Sequence, residues 1–398
     1  MLSNDVFFSQ RIQAVAQSTV FSQLIKLIPR TQFQEFVARH DGDARVRSLD
    51  CWTWFGALLF GQMTGHDSIR AIERVFAHQD GEARRLGFGP VRRSTFADAN
   101  QARPTAVLED LYRYVLGRAQ SVAPKKTGFR FHGEIFALDS TTIELCLALS
   151  PWAVFRRNKG AVKLHTAIDI AGNLPQYAVI TDGKHHDIRA ARDQIHFSPG
   201  ATAIFDKAYI DYSWLNQLNE SGVWFVTRMK TNCHYQILEC REHNRTQGLR
   251  ADQTIRLTSA RGADYQGKLR RVSYRDPDTK KWLVFLTNRF DLSPKTIADL
   301  YKARWKVELF FKAMKQHLRI KKFLGTSQES VKAQILVALI AYLLVHILKY
   351  AMKSDISIPD AMAALGTLLL LKEPLSRLLG RLPRVTRHPC GSQLVLNL

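Results

Sequence analysis

Four polar residues in the stretch LYKARWKVELFFKAMKQHL (300–318) fall at helical spacing: Tyr301, Arg304, Glu308 and Lys315, at i, i+3, i+7 and i+14. At about 100° per residue they lie within roughly 60° of one another and form one stripe. Such a row can do two things. It can be a solvated face, with Glu308 paired to Lys312 at i+4. It can also present its carboxylate to a cation held jointly with other acidic residues. Two more carboxylates favour the second use. Asp139 closes the apolar run EIFALD and Asp206 closes ATAIFD, and each leads into polar residues, DSTT and DKAY. One such Asp is by default a turn or cap residue, but in an α/β sheet strand ends are also where active sites gather. Three carboxylates can hold two divalent cations, which activate an attacking oxygen and stabilise a leaving oxygen at phosphorus. Hard oxygen ligands suit Mg²⁺, with Mn²⁺ as a substitute.

The elements that must position these residues are legible. Residues 1–128 read as helices: FSQLIKLI, TQFQEFVARH, SLDCWTWFGALLFGQM, SIRAIERVFAHQ, then two more on either side of a break at Pro104. APKKTG, at 123–128, reads as a linker. From residue 129 the period changes. The expected order is strand (EIFALD), strand (AVKLHTAIDIAG), strand (PQYAVITDG), helix (HDIRAARDQI), strand (ATAIFD), helix (YSWLNQLNESG), strand (VWFVTRMK). Residues 229–292 read as an all-β insertion, with short strands at HYQILEC, TIRLTS, GKLRRVSYR and KWLVFLTN. Helices return at about 294, the stretch 300–318 reading as one unbroken helix, and 331–398 form a helical, basic end. The apolar run ILVALIAYLLV is short for a membrane span and reads as a buried helix.

Composition points to a polyanionic partner. The chain of 398 residues carries 57 Lys and Arg against 35 Asp and Glu, a net charge of +22. Residues 301–398 hold 16 of the former and 5 of the latter. A membrane surface fits less well, because the basic residues do not gather on one amphipathic helix. Five dispersed cysteines make no disulfide framework and suit a reducing cytoplasm. The spacing of Cys233, His234, Cys240 and His243 fits no usual zinc pattern. MLSNDVFFSQ has no basic lead and does not read as a signal peptide.

At FALDSTT, AIFDKAYID and the helix pattern Y-x2-R-x3-E-x6-K, the chain resembles the DDE transposases of bacterial insertion sequences, in the group named for its YREK signature. The resemblance extends from about Phe136 to Thr326 and takes in KLHTAIDIAGNLP and GKHHDIRAA. It implies a ribonuclease-H-like mixed-sheet core interrupted by a β insertion between the second Asp and the Glu. It also implies that Asp139, Asp206 and Glu308 are catalytic and bind two Mg²⁺, with Tyr301, Arg304 and Lys315 on DNA phosphates. The expected partners are double-stranded DNA, as terminal inverted repeats and target, and a second copy of the chain in a paired-end complex. Residues 1–128 would read the repeats and 331–398 would dimerise. The protein would be cytoplasmic and nucleoid-associated when on DNA.

Other residues are open to two readings each. Lys207 and Tyr209 follow Asp206 and can touch the DNA strand or shape a turn. Arg92 and Arg93 precede Ser94, a candidate helix cap, and can flank a phosphate at the helix N-terminus. Of Lys163 and His165, one can face DNA. His185 and His186 are poor Mg²⁺ ligands, and Asp187 reads as a helix cap. Trp282, and after it Trp224, can stack on a flipped base or fill the core. The rival functions are a nuclease on the same core without joining activity and a DNA-binding relic without catalysis. A serine or tyrosine recombinase would need a nucleophile inside an Arg cluster, which only Tyr301 with Arg304 imitates.

Overall fold

The computed structural model describes residues 18–381 apart from 157, 158, 244, 246, 247, 319 and 321. The signal-peptide reading and the last part of the basic end fall outside them. Among the described residues, seven helices come first: α1 (Val20–Ile25), α2 (Arg30–Arg39), α3 (Cys51–Thr64), α4 (Ile69–His78), α5 (Asp80–Arg85), α6 (Arg93–Ala102) and α7 (Ala106–Val122). Asp50 and Ser68 cap α3 and α4 by accepting from the amides three residues on, which satisfies donors the helix leaves free. Ser94 is not a cap. The helix starts at Arg93, and Glu73 accepts from the Arg93 amide (3.1 Å).

The central sheet contains β1 (Ile135–Leu145), β2 (Val154–Arg156), β3 (Lys159–Asp169), β4 (Leu174–Asp182), β5 (Thr202–Phe205) and β6 (Trp224–Arg228), with α8 (Asp187–Gln194) and α9 (Tyr212–Glu220) between the later strands. β3 pairs antiparallel with β1 and β4, whereas β5 lies parallel to β1 and β6 parallel to β5. This mixed arrangement is ribonuclease-H-like. Asn173, in the left-handed region at φ 55°, makes the tight β3–β4 turn.

The β insertion is not a separate sheet. Its strands, β7 (Tyr235–Cys240), β8 (Leu249–Leu257), β9 (Leu269–Arg275) and β10 (Trp282–Thr287), extend the central one, because β10 pairs antiparallel with β6. The result is one ten-stranded sheet, in which β10 covers what would otherwise be the open edge of β6. Sequence periodicity could find these strands but not which neighbour each would take.

Then come α10 (Pro294–Ala303), α11 (Trp305–His317), α12 (Gln328–Ala351), α13 (Ile358–Leu368) and α14 (Leu375–Arg381). The stretch expected as one helix is thus two, broken at Arg304. Ala137, Ile143, Leu164 and Ile204 face a core shared with the helices, whereas Phe136, Leu138, Ala203 and Phe205 face the one beneath α8 and α9. α12 is long and apolar enough to cross a membrane, but 94% of its apolar 18-residue window is buried in the protein, and the helix packs against α3, α6 and α7. Residues 331–381 therefore share one core with the N-terminal helices, and the expected boundary at 330 does not separate two cores.

Candidate active site

Strand pairing brings the two aspartates together. β1 and β5 run parallel with Leu138 beside Phe205, so Asp139 and Asp206, the next residue of each, are neighbours. Alternation then fixes their face. Phe136, Leu138 and Phe205 point to the α8–α9 side, so Asp139 and Asp206 point to the side of α10 and α11. Asp139 does not end its strand, as expected, but lies inside β1. Parallel pairing stops there because β5 ends at Phe205, and β1 continues to Leu145 against β3 alone.

The helix stripe meets these carboxylates. α11 packs on β1 and β3, and α10 on β5 and β6. Arg304, at the junction, donates to Asp139 Oδ2 (3.0 Å) and to Glu308 Oε1 (2.5 Å). Tyr301 Oη lies 3.4 Å from Asp206 Oδ2. Glu308 is therefore paired with the arginine one turn before it. Lys315 stands half-buried two turns beyond Glu308 on α11. Burial raises the pKa of the Asp139 carboxyl, and Glu308 and Asp206 add to this, while the Ser140 amide and Arg304 oppose it. Burial likewise pushes the Tyr301 phenol up to about 12. It also opposes the charge on Arg304, but Tyr301, Asp139 and Glu308 together raise the guanidinium above its usual range.

Among the described residues, no three His, Cys, Asp or Glu side chains are gathered as a finished metal cage. At this site a guanidinium stands between two of the carboxylates. It is itself a cation held by hard oxygens, with its Nε buried and unpartnered. Carboxylate oxygens are the hard donors that divalent cations take, and here the arginine engages two of the three carboxylates.

The remaining candidates divide. Lys207 is exposed beside Asp206, and Arg92 and Arg93 are exposed at the start of α6. Trp282 is 45% exposed at the start of β10, with Arg250 over its ring at 5.6 Å, so it is not a core residue. Trp224 begins β6, at the opposite end of the parallel strands from Asp206, with Arg289 over its ring. Tyr209 is only 1% exposed and cannot lie along a DNA strand in this conformation. Neither Lys163 nor His165 faces outward. Lys163 donates to the His185 carbonyl and to Asp187, and His165 is fully buried, its pKa lowered by that burial to about 4. Asp187 is the first residue of α8 rather than its cap, and its carboxylate accepts from Lys163. Cys233 is engaged by Tyr212 and Cys240 by Gln253.

Two residues escaped the sequence reading. Arg228, the last residue of β6, adds positive charge near Tyr301, and its position at the sheet edge that bears Asp206 was the available signal. Trp305 is 58% exposed at the start of α11, three residues before Glu308, with Leu309 exposed beside it. A helical pattern places both near the core stripe, so their exposure was invisible until the packing was known.

The sequence pattern of the family described as "Transposase DDE domain" matches residues 130–344, and a domain of unknown function matches residues 16–89. The chain is 34% identical to a Sinorhizobium fredii protein named as a transposase, over 63% of this chain and 70% of that one. It is 29% identical to a protein of Geobacillus stearothermophilus named as a transposase for an insertion-sequence element, over 64% and 66%. A Synechocystis protein with the same kind of name is 24% identical over 64% and 71%. The matched domain begins before β1 and ends within α12, so it encloses both aspartates, Glu308 and the helix pair that carries the stripe. With its acidic residues converging on one face of a ribonuclease-H-like sheet, this chain belongs to the DDE transposases.

Proposed function

We propose that the protein is the transposase of an insertion sequence, cutting DNA at the element's ends and joining the freed ends to target DNA. The observation that carries this reading is the meeting of Asp139, Asp206 and Glu308 with Tyr301 and Arg304 at one place. Relatives named for insertion-sequence elements support it. So does the net charge of +22, which suits the DNA backbone.

Asp139, Asp206 and Glu308 would hold two Mg²⁺, with Mn²⁺ as a substitute. When bound, the cations supply Lewis acidity to the attacking and leaving oxygens at phosphorus. Tyr301, Lys315 and Lys207 orient the phosphates around the scissile position. Arg304 exchanges its carboxylate partners for phosphate oxygens, which match its donor fork. Water hydrolyses a phosphodiester at the element end and frees a 3′-OH. That hydroxyl attacks the opposite strand to form a hairpin, which is reopened, and finally attacks target DNA. Trp282, exposed on the insertion, stacks on a base turned out of the duplex. Residues 1–128 read the terminal inverted repeats, with Arg92 and Arg93 on phosphates, and two copies pair the ends.

The test is cleavage of a linear DNA carrying the gene's own flanks, with Mg²⁺, with EDTA, and with Glu308→Gln, on a denaturing gel. Mg²⁺-dependent nicks at both ends, lost in Glu308→Gln, are expected, together with joining of a labelled end to plasmid. Cleavage without joining would favour a nuclease. Specific binding without cleavage in either metal would favour a DNA-binding relic.

A further inference from the structure

The N-terminal helices carry arginines of two kinds. Several are paired with acids: Arg39 and Arg113 meet Asp110, Arg84 meets Asp80, and Arg103 meets Asp43. Arg70, Arg74, Arg92 and Arg93, by contrast, are exposed and have no carboxylate partner among the described residues. They lie on neighbouring helices. Arg70 and Arg74, one turn apart, share a face of α4. Glu73 accepts from the Arg93 amide (3.1 Å), which sets the start of α6 beside the middle of α4. That carboxylate occupies the N-terminus of α6, so a phosphate here meets the exposed Arg92 and Arg93 side chains rather than the helix end.

α6 itself has two faces. Inward, Phe96 is fully buried, Asn100 Oδ1 accepts from Trp54 of α3 (2.7 Å), and the Asn100 carbonyl accepts from Ser330 of α12 (3.0 Å). The helix is therefore fixed on both neighbours. Outward, Ser94, Asp98 and Gln101 are exposed at i, i+4 and i+7, within roughly 60° of one another. Their side chains make no hydrogen bond or ion pair with the described residues. A hydroxyl, a carboxylate and an amide thus form one unengaged stripe, with two arginines at its head and two on the helix beside it.

We infer that α6 is the helix that enters the major groove of the element-end DNA, with Ser94, Asp98 and Gln101 against base edges and the four arginines on the flanking phosphates. This rests on the reading of residues 1–128 as the part that recognises the terminal inverted repeats. The groove, about 12 Å wide, admits one helix; in it a glutamine pairs with adenine, and a carboxylate accepts from the cytosine amino group. One helix reading bases while its neighbour meets the backbone is a general docking mode. Asp98 repels phosphates, so it also penalises any register that places no amino group against it.

The test measures binding of the full chain in EDTA, by fluorescence anisotropy, to a duplex carrying the element end and to a scrambled duplex of the same composition. Gln101→Ala should weaken end binding about tenfold and leave scrambled binding unchanged. Asp98→Ala should bind the scrambled duplex more tightly and the end more weakly. Arg70→Ala with Arg74→Ala should weaken both alike and lower the log–log salt slope by about two. An RNA duplex of the end sequence should compete no better than scrambled DNA, because its deep, narrow major groove shuts a helix out. Gln101→Ala and Asp98→Ala proteins that keep the wild-type preference for the end would overturn the inference and leave repeat reading to another surface. Equal losses on both duplexes in Gln101→Ala would overturn it in favour of a phosphate contact, and competition by the RNA duplex equal to that of end DNA would overturn the groove assignment. A wild type that binds end and scrambled duplexes alike would overturn the repeat-reading role of residues 1–128, and this inference with it.

Discussion

Replacing Arg304 by alanine should tighten divalent-cation binding and yet slow DNA cleavage. The guanidinium lies 3.0 Å from Asp139 and 2.5 Å from Glu308, on the carboxylates that the proposed cations would use. The side chains of Arg304, Asp139 and Glu308 are 15%, 24% and 33% exposed. Two unit charges 4 Å apart interact by about 4 kcal/mol at an effective dielectric constant near 20, and by about 1 kcal/mol in water. At this intermediate exposure the competition from the arginine should be about 1–2 kcal/mol. Removing it should raise Mn²⁺ affinity about tenfold, since each 1.4 kcal/mol is a factor of ten. Arg304→Lys keeps the charge and should bind Mn²⁺ nearly as wild type does. Cleavage at saturating Mg²⁺ should nevertheless fall about 10²-fold in Arg304→Ala, the usual cost of losing one donor to developing charge. The assay pairs Mn²⁺ titration at low ionic strength with single-turnover nicking of end DNA. Unchanged or weaker Mn²⁺ binding in Arg304→Ala would refute the competition argument, whatever happened to cleavage.

Trp282→Ala should nick the first strand normally but form hairpin about tenfold more slowly, given that base stacking on an aromatic contributes about 1–3 kcal/mol; a normal hairpin rate on the same gel would remove the stacking role. Asp252→Ala should destabilise the fold by about 3–5 kcal/mol in urea unfolding, because it strands Arg270 with both partners 2% exposed, and a loss below about 1 kcal/mol would mean that the pair contributes little. His346 is fully buried with both ring nitrogens unpartnered, and burial depresses its pKa to about 3. The unfolded chain therefore binds the extra proton between about pH 6.5 and pH 3, and stability is lost as pH falls through that window. His346→Leu should reduce the acid slope by about 1.4 kcal/mol per pH unit below 6; an identical slope would show that the ring does not titrate on unfolding.

Much of this was written in local pattern. The order of strands and helices from β1 to β6 follows from periodicity, and Gly172-Asn173 announced the β3–β4 turn. α6 and α7 divide at Pro104, as the sequence implies. The short helix α5 and the three-residue strand β2 were missed, since neither is long enough to show a period. Residues 254–259 revealed only the second half of β8, which begins at Leu249 beyond a polar start.

What the sequence determined by itself was therefore the inventory: strands by alternation, helices by period and caps, and three acidic residues with a basic and phenolic stripe at fixed spacing. The stripe was read at 3.6 residues per turn on one continuous helix, but the break at Arg304 puts Tyr301 on α10 and Glu308 and Lys315 on α11, so packing also set its arrangement. Tertiary structure decided the rest. That β10 would join β6 depends on backbone pairing between strands far apart in sequence. That Arg304, rather than Lys312, would pair with Glu308 depends on Asp139 arriving on the far side of the same guanidinium. That Tyr209 would be buried while Trp305 stayed exposed depends on which surface each neighbour covers. Burial and charge pairing are properties of what surrounds a residue, and those surroundings come from segments that the residue's own local sequence does not specify.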